Sequence, residues 1–159
     1  MTARGRRRPG RPRLGDDGAV GGAEVLPLAV LTFVVGTMLV ANLWAVVDAR
    51  FAVDAAAREA GRRYVEAPDA ASARAAAERA AAEALAGHGR DPSRATVTVA
   101  HPDGRDWGAC VPTAVTVRHP VRIQGVPGLG GRRLVTVTAT HHQVVDPWRS
   151  GVDDRGGCR

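Results

Sequence analysis

The fold is decided by one stretch near the N-terminus, Val25 to Val47, which reads VLPLAVLTFVVGTMLVANLWAVV. It contains no charged residue, and as a helix its 23 residues would reach about 34 Å, enough to cross a hydrocarbon layer of about 30 Å. A cleavable secretory signal is the alternative, because Val47-Asp48-Ala49 resembles a small-residue processing site. The apolar run is longer than the roughly 7–15 residues of such signals. The sequence therefore predicts a transmembrane helix over residues 25–47.

The segment before this helix is basic and lacks apolar residues that could pack. The chain has 159 residues, a formal net charge of +6 and no lysine. Its leader, residues 1–24, carries six arginines: Arg4, Arg6, Arg7, Arg8, Arg11 and Arg13. Such a tail can bind nucleic acid, but we prefer the membrane explanation and expect no nucleic-acid partner. Arginine is costly to translocate, so we predict a disordered cytoplasmic leader, a single membrane pass and a C-terminal domain outside the cytoplasm.

Helical periodicity continues beyond the apolar stretch. Val53, Ala57, Ala60 and Tyr64 fall on one stripe of a helix that leaves the membrane and ends before Pro68. A second, alanine-rich helix is predicted over residues 70–86, and its packing is left open because Leu85 is its only large aliphatic residue.

From residue 95 the apolar residues alternate with a period of two. Valines at 97 and 99, at 115 and 117, and at 135 and 137 alternate with polar residues, a pattern typical of half-buried strands. The glycine-rich residues 124–131 predict an antiparallel hairpin between the second and third strands. We therefore predict an α+β fold, with an extracytoplasmic domain over residues 48–146, a sheet of about three strands, and a flexible tail over residues 147–159.

Several single residues have predicted structural roles. Pro27 fits the first turn of the membrane helix, and Glu24 just before it suits the positive end of the helix dipole. Gly36 is tolerable in a membrane helix, and Asn42 either bonds to another helix or lies at the interface near Trp44. Two further residues, Cys110 and Cys158, fit one disulfide if that half of the chain is in an oxidising compartment.

Catalytic and metal-binding patterns are weak. His141 and His142 are strand neighbours that point to opposite faces, so together with His119 they do not predict a metal site. The glycine loop lacks the lysine and helix of a phosphate-binding loop. Asp103 and Asp106, near Trp107, are better explained as a solvated loop than as paired catalytic acids. We predict no enzyme activity, no cofactor and no small-molecule substrate.

The stretch from Gly18 to Tyr64 resembles the TadE-like family, the minor pilins or pseudopilins of the tight-adherence (Flp-type) pilus assembly system. The resemblance is carried by Asp17-Gly18, by Glu24 ahead of an apolar span containing Pro27, and by VDAAAREAGR at residues 53–62, which is similar to the family's alanine-rich segment after the membrane. The loop VPGL at residues 126–129 also resembles such proteins.

The resemblance implies a structural role in a surface filament or related secretion apparatus, with other pilin-like or assembly proteins as partners. Glu24 would be the acidic residue used in assembly. The family's peptidase cuts after a glycine a few residues before a Glu-Phe or Glu-Tyr pair, and here Val25 follows Glu24, so Gly18 is the best-placed cleavage candidate. An anchored domain that binds a different envelope partner, and a secreted protein with a cleaved signal, remain as alternatives.

Overall fold

The computed structural model describes residues 17–123, 133–148 and 158. Helix α1 runs over Asp17–Val65 and α2 over Ala70–Gly87, followed by a short 3-10 helix at Pro92–Arg94. Three strands complete the order, β1 at Thr96–Ala100, β2 at Pro112–Ile123 and β3 at Arg133–Val144. The predicted α+β fold, with a long apolar first helix, a second helix and three antiparallel strands, is confirmed. The chain divides into two compact units between Thr37 and Met38.

Helix α1 begins earlier than the sequence predicted. Residues 17–24, expected in the disordered leader, are helical, and residues 1–16 lie outside the described part. Pro27 is consequently inside the helix rather than in its first turn, where it leaves one backbone carbonyl without its helical donor. Glu24 lies seven residues after the start, beyond the first turn in which a helix dipole acts strongly. Pro27 and Glu24 therefore lie within α1 and not at its start. A helix that has formed in the apolar stretch can extend toward the N-terminus without a second nucleation step.

The sheet is antiparallel with the order β1-β2-β3, as the predicted hairpin requires. Val99 of β1 pairs with Val115 of β2, which pairs in turn with His141 of β3. The hairpin loop, residues 124–132, lies outside the described residues. Pro120 is tolerated in the central strand because the pairing with β1 ends at Arg118, so β2 has a single neighbour there.

The core forms where α1 packs on the inner face of the sheet. Small residues of the helix meet valines of β2, and all of them are completely buried: Ala52, Val53, Ala56, Ala57, Ala60, Val115 and Val117. Gly61 lies close to the sheet, because a Cβ there would be 3.3 Å from Gln143 Cγ and 3.4 Å from His141 Cδ2. A thin core of alanine and valine therefore holds helix and sheet close together.

Helix α2 packs through small side chains, which settles the question the sequence left open. Asp69 caps its N-terminus by accepting from the Ser72 backbone N–H at 2.8 Å. One face is buried, formed by Ala73, Ala77, Ala80, Ala81 and Leu85. Leu85 is completely buried and is the largest such side chain in the core.

Candidate assembly surface

The apolar part of α1 is largely exposed, apart from a half-buried row at Val35, Met38 and Asn42. Most of its large residues between Val25 and Trp44 are 45–74% exposed, among them Val25, Leu26, Leu28, Phe33, Leu39, Val40, Leu43 and Trp44. Among the described residues this is the one helix long and apolar enough to cross a membrane, although a signal sequence near an N-terminus can meet the same criteria of length and composition. A helix that is apolar all round needs lipid or other helices around it.

Polar groups in this part of α1 are satisfied within the helix. The hydroxyls of Thr32 and Thr37 donate to the carbonyls of Leu28 and Phe33, each at 2.8 Å. Gly36 is exposed, and a Cβ added there would meet nothing within 4 Å, so a second helix can approach its backbone closely. These features are compatible with the predicted role of Gly36 in packing, which stays a prediction.

An apolar line runs along α1 at the end of the span and continues one turn beyond it. Val40, Trp44, Val47 and Phe51 are four, three and four residues apart, the alternation that places side chains along one seam of a packed helix. We call these four residues the helix seam. Phe51 lies past the charged Asp48 and is still 66% exposed. The spacing is visible in the sequence, but the exposure of these side chains is not, so this surface was not predicted.

The outer end of the helix seam borders a groove between α1 and the edge of β3. Val47, Arg50, Phe51 and Asp54 form its helical wall, and residues 138–140 of β3 form the other, around a cavity of about 460 Å³. Strand β3 is last in the sheet order, so its outer edge has no neighbour among the described strands. A partner lying on the helix seam would also cover this groove.

Asn42 faces its own domain. It is half-buried and lines a smaller cavity, of about 150 Å³, with Met38, Ala41, Ala45 and Arg122 of β2. This position beside the end of the sheet was not foreseen. Glu24 and Gly18 both belong to α1, but the surroundings of these two residues lie outside what the structure describes, so their predicted roles in assembly and cleavage stay predictions.

Aromatic contacts and a disulfide join the C-terminal end of α1, the loop after β1 and the C-terminal segment. Tyr64 Oη lies 3.0 Å from His101 Nε2, and Trp107 Nε1 donates to the Tyr64 carbonyl at 3.3 Å. Burial raises the pKa of Tyr64, an effect that Arg74 partly offsets. Cys110 and Cys158 form a disulfide with their Cα atoms 5.4 Å apart, within the usual range for such bridges. This bridge ties Cys158, in the expected flexible tail, to the domain.

The histidines and acids are separated. His141 lies on the inner face near Gly61 and bonds to Gln143 at 3.0 Å, while His142 is exposed, so they point to opposite faces as predicted. His119 Nε2 lies 3.1 Å from the Asp91 carbonyl oxygen. Within residues 17–123, 133–148 and 158, no three His, Cys, Asp or Glu side chains are grouped to hold a metal ion.

Asp103 is engaged in its loop. Its carboxylate accepts from the backbone N–H of Arg105 at 3.1 Å and from the Arg105 Nε at 2.6 Å. Desolvation acts to raise the pKa of Asp103, but these bonds outweigh it and lower the pKa overall. A carboxylate with a lowered pKa is a poor general acid near neutral pH.

Comparison of this chain with protein-family models, with curated proteins and with solved structures finds no match.

Proposed function

We propose that this chain is a single-pass membrane protein that serves as a structural or assembly component of a Flp-type pilus or related secretion apparatus. It acts by protein–protein packing and without catalysis. The observation that carries the proposal is the character of α1. One continuous helix is apolar and largely exposed through Trp44, and then buries one face against its own sheet from Ala49 onward. Such a helix joins a membrane anchor to a folded domain.

The charge distribution supports an N-terminus in the cytoplasm. The six arginines precede the apolar stretch, and positive residues are retained on the cytoplasmic side. The bridge between Cys110 and Cys158 supports the opposite location for the C-terminal domain, since disulfides persist mainly in oxidising compartments.

The structure favours a retained anchor over a cleaved signal. α1 continues without a break through Val47 and Asp48, and Ala49 is completely buried in the core. Processing at Val47-Asp48-Ala49 would interrupt α1 directly before or at Ala49, a residue that packs in the core. An anchored helix avoids this, and the helix seam then continues from the membrane into the domain.

Partners of a pilin-like type are supported by the helix seam and by the resemblance of residues 18–64 to the TadE-like family. An apolar line that continues to Phe51, beyond Asp48, offers a protein partner an apolar contact past the lipid. A helix of similar length on another assembly protein has the shape to make this contact. A different envelope partner is the alternative outcome of the experiments below.

Protease digestion of intact spheroplasts tests the topology. Added protease should remove the C-terminal domain and spare a tag placed at Met1. Protection of the C-terminal domain would contradict the orientation, and release of a soluble domain without the tag in untreated cells would favour a cleaved signal.

Substitution of Glu24 tests the assembly role. With α1 starting at Asp17, Glu24 is too far along the helix to act mainly as a cap, and a carboxylate at the membrane edge needs a positive partner. We expect Glu24→Gln to insert and accumulate normally but to lose co-purification with its partners and reduce filament formation. Asp17→Asn is the matched control, because it removes a nearby acidic charge at the helix start. Normal assembly of Glu24→Gln would refute the pairing role.

A further inference from the structure

The cavity beside Asn42 brings a positive side chain against the apolar helix. Met38, Ala41, Asn42 and Ala45 lie on consecutive turns of α1, and Arg122 near the end of β2 faces them. Eighty residues separate Asn42 from Arg122 along the chain, so only the packing of the sheet on α1 brings them together. Neither the proposed assembly role nor the core explains why an arginine is placed there.

We propose that this cavity binds the phosphate of a phospholipid in the outer leaflet, with Arg122 as the principal ligand. The inference rests on the proposed anchoring, because it requires the domain to sit on the outer face of the membrane. It concerns a site separate from the helix seam, and it does not depend on the pilus.

The depth of the cavity matches the lipid headgroups. Asn42 precedes the first charged residue after the span, Asp48, by six residues, which is about 9 Å along a helix. The headgroup region on one side of a bilayer is about 5–8 Å thick. With Asp48 at the water boundary, Arg122 therefore lies close to the level at which the phosphates end and the hydrocarbon begins. Trp44, 72% exposed, lies at the same level, where tryptophan is enriched.

The charge of Arg122 favours an anion as the ligand of this cavity. The described residues that line the cavity include no carboxylate, and none of the ion pairs within the described part of the chain involves Arg122. A guanidinium near hydrocarbon is costly without a counter-ion. Its planar fork binds phosphate through two parallel hydrogen bonds, which makes a phosphodiester the chemically matched ligand at this depth.

The size and lining of the cavity fit part of a lipid. Its volume of about 150 Å³ is below the ~300–1,000 Å³ of sites that enclose a whole small molecule. Met38, Ala41 and Ala45 supply an apolar wall for the glycerol and the first methylenes, while Arg122 receives the phosphate. The acyl chains would lie along the exposed apolar surface of α1.

Native mass spectrometry of the full chain in a neutral detergent tests the proposal. Dimyristoyl phosphatidylglycerol is titrated, and the retained lipid per chain is counted. We expect saturable retention of one lipid, at least tenfold weaker for Arg122→Gln. Ala41→Leu, which fills the cavity and keeps the arginine, should weaken it similarly. Arg118→Gln is the matched control, because Arg118 is exposed on the same strand but does not line the cavity.

Two further probes separate the possible sources of the ligand. Dimyristoylglycerol, which lacks the phosphate, should not be retained, and inorganic phosphate at the same concentration should not displace the phospholipid. Three outcomes would each overturn the lipid site. Arg122→Gln could retain as much lipid as the unaltered chain, the chain could retain dimyristoylglycerol as well as the phospholipid, or inorganic phosphate at that concentration could displace the phospholipid. Assembly plays no part in this measurement. A correct topology with no lipid retention would therefore refute the lipid site alone, and a reversed topology in spheroplasts would refute the anchoring.

Discussion

Phe51 lies at the outer end of the helix seam, and its replacement by alanine is expected to weaken partner binding without destabilising the domain. The side chain is 66% exposed, and a phenylalanine offers about 200 Å², so a partner can cover about 130 Å². At about 25 cal/mol per Å² this is worth about 3 kcal/mol. Alanine retains part of the contact, which leaves an expected loss of about 2–3 kcal/mol, on the order of 30- to 150-fold in affinity.

The assay for Phe51→Ala combines co-purification of the membrane-extracted partners with thermal denaturation of the purified chain. Leu134→Ala is the control, because Leu134 is 62% exposed on β3 and lies outside the helix seam. We expect partner recovery to fall for Phe51→Ala alone, with both melting temperatures nearly unchanged. Equal recovery for the two variants would refute the packing role of the helix seam, and a lower melting temperature for Phe51→Ala would show that Phe51 instead stabilises its own domain.

Three further predictions concern the domain itself. The bridge between Cys110 and Cys158 spans 48 residues, and the chain-entropy model gives such a bridge a stabilisation of about 4 kcal/mol. Thiol labelling of unreduced, denatured protein should find no free thiol, and two free thiols per chain would contradict the bridge. Leu85→Ala should cost about 3 kcal/mol because the side chain is completely buried, and a change in unfolding free energy as small as that of the exposed Leu134→Ala would contradict this. Because the pKa of Tyr64 is raised in the folded protein, the neutral phenol adds to the free energy of unfolding. This stability is fully present below the unfolded pKa of about 10 and is lost as the pH rises through the higher folded pKa. Denaturant titration from about pH 8 to about pH 11 should show this loss, and a Tyr64→Phe variant that lost as much stability over the same range would argue against Tyr64 as the cause.

Local patterns predicted the elements because they depend on near neighbours in the chain. The period of two at Val115 and Val117 identified β2, and the alanine-rich run over residues 70–86 identified α2. The start of α1 was predicted wrongly, since Pro27 and Glu24 together resemble a helix beginning. Glycines at 18, 21 and 22 are poor helix formers, so α1 reaches back to Asp17 as a continuation of the helix in the apolar stretch.

The sequence by itself determined where the apolar helix lies, because the absence of charge over residues 25–47 is a property of the chain alone. The tertiary structure decided which parts of that helix are covered. Gly61 is buried against β3, Phe51 is left exposed, and Arg122 is brought beside Asn42. The physical reason is that periodicity reports which residues share a face of one element, whereas the neighbour of that face depends on how the sheet packs on the helix across tens of residues of chain.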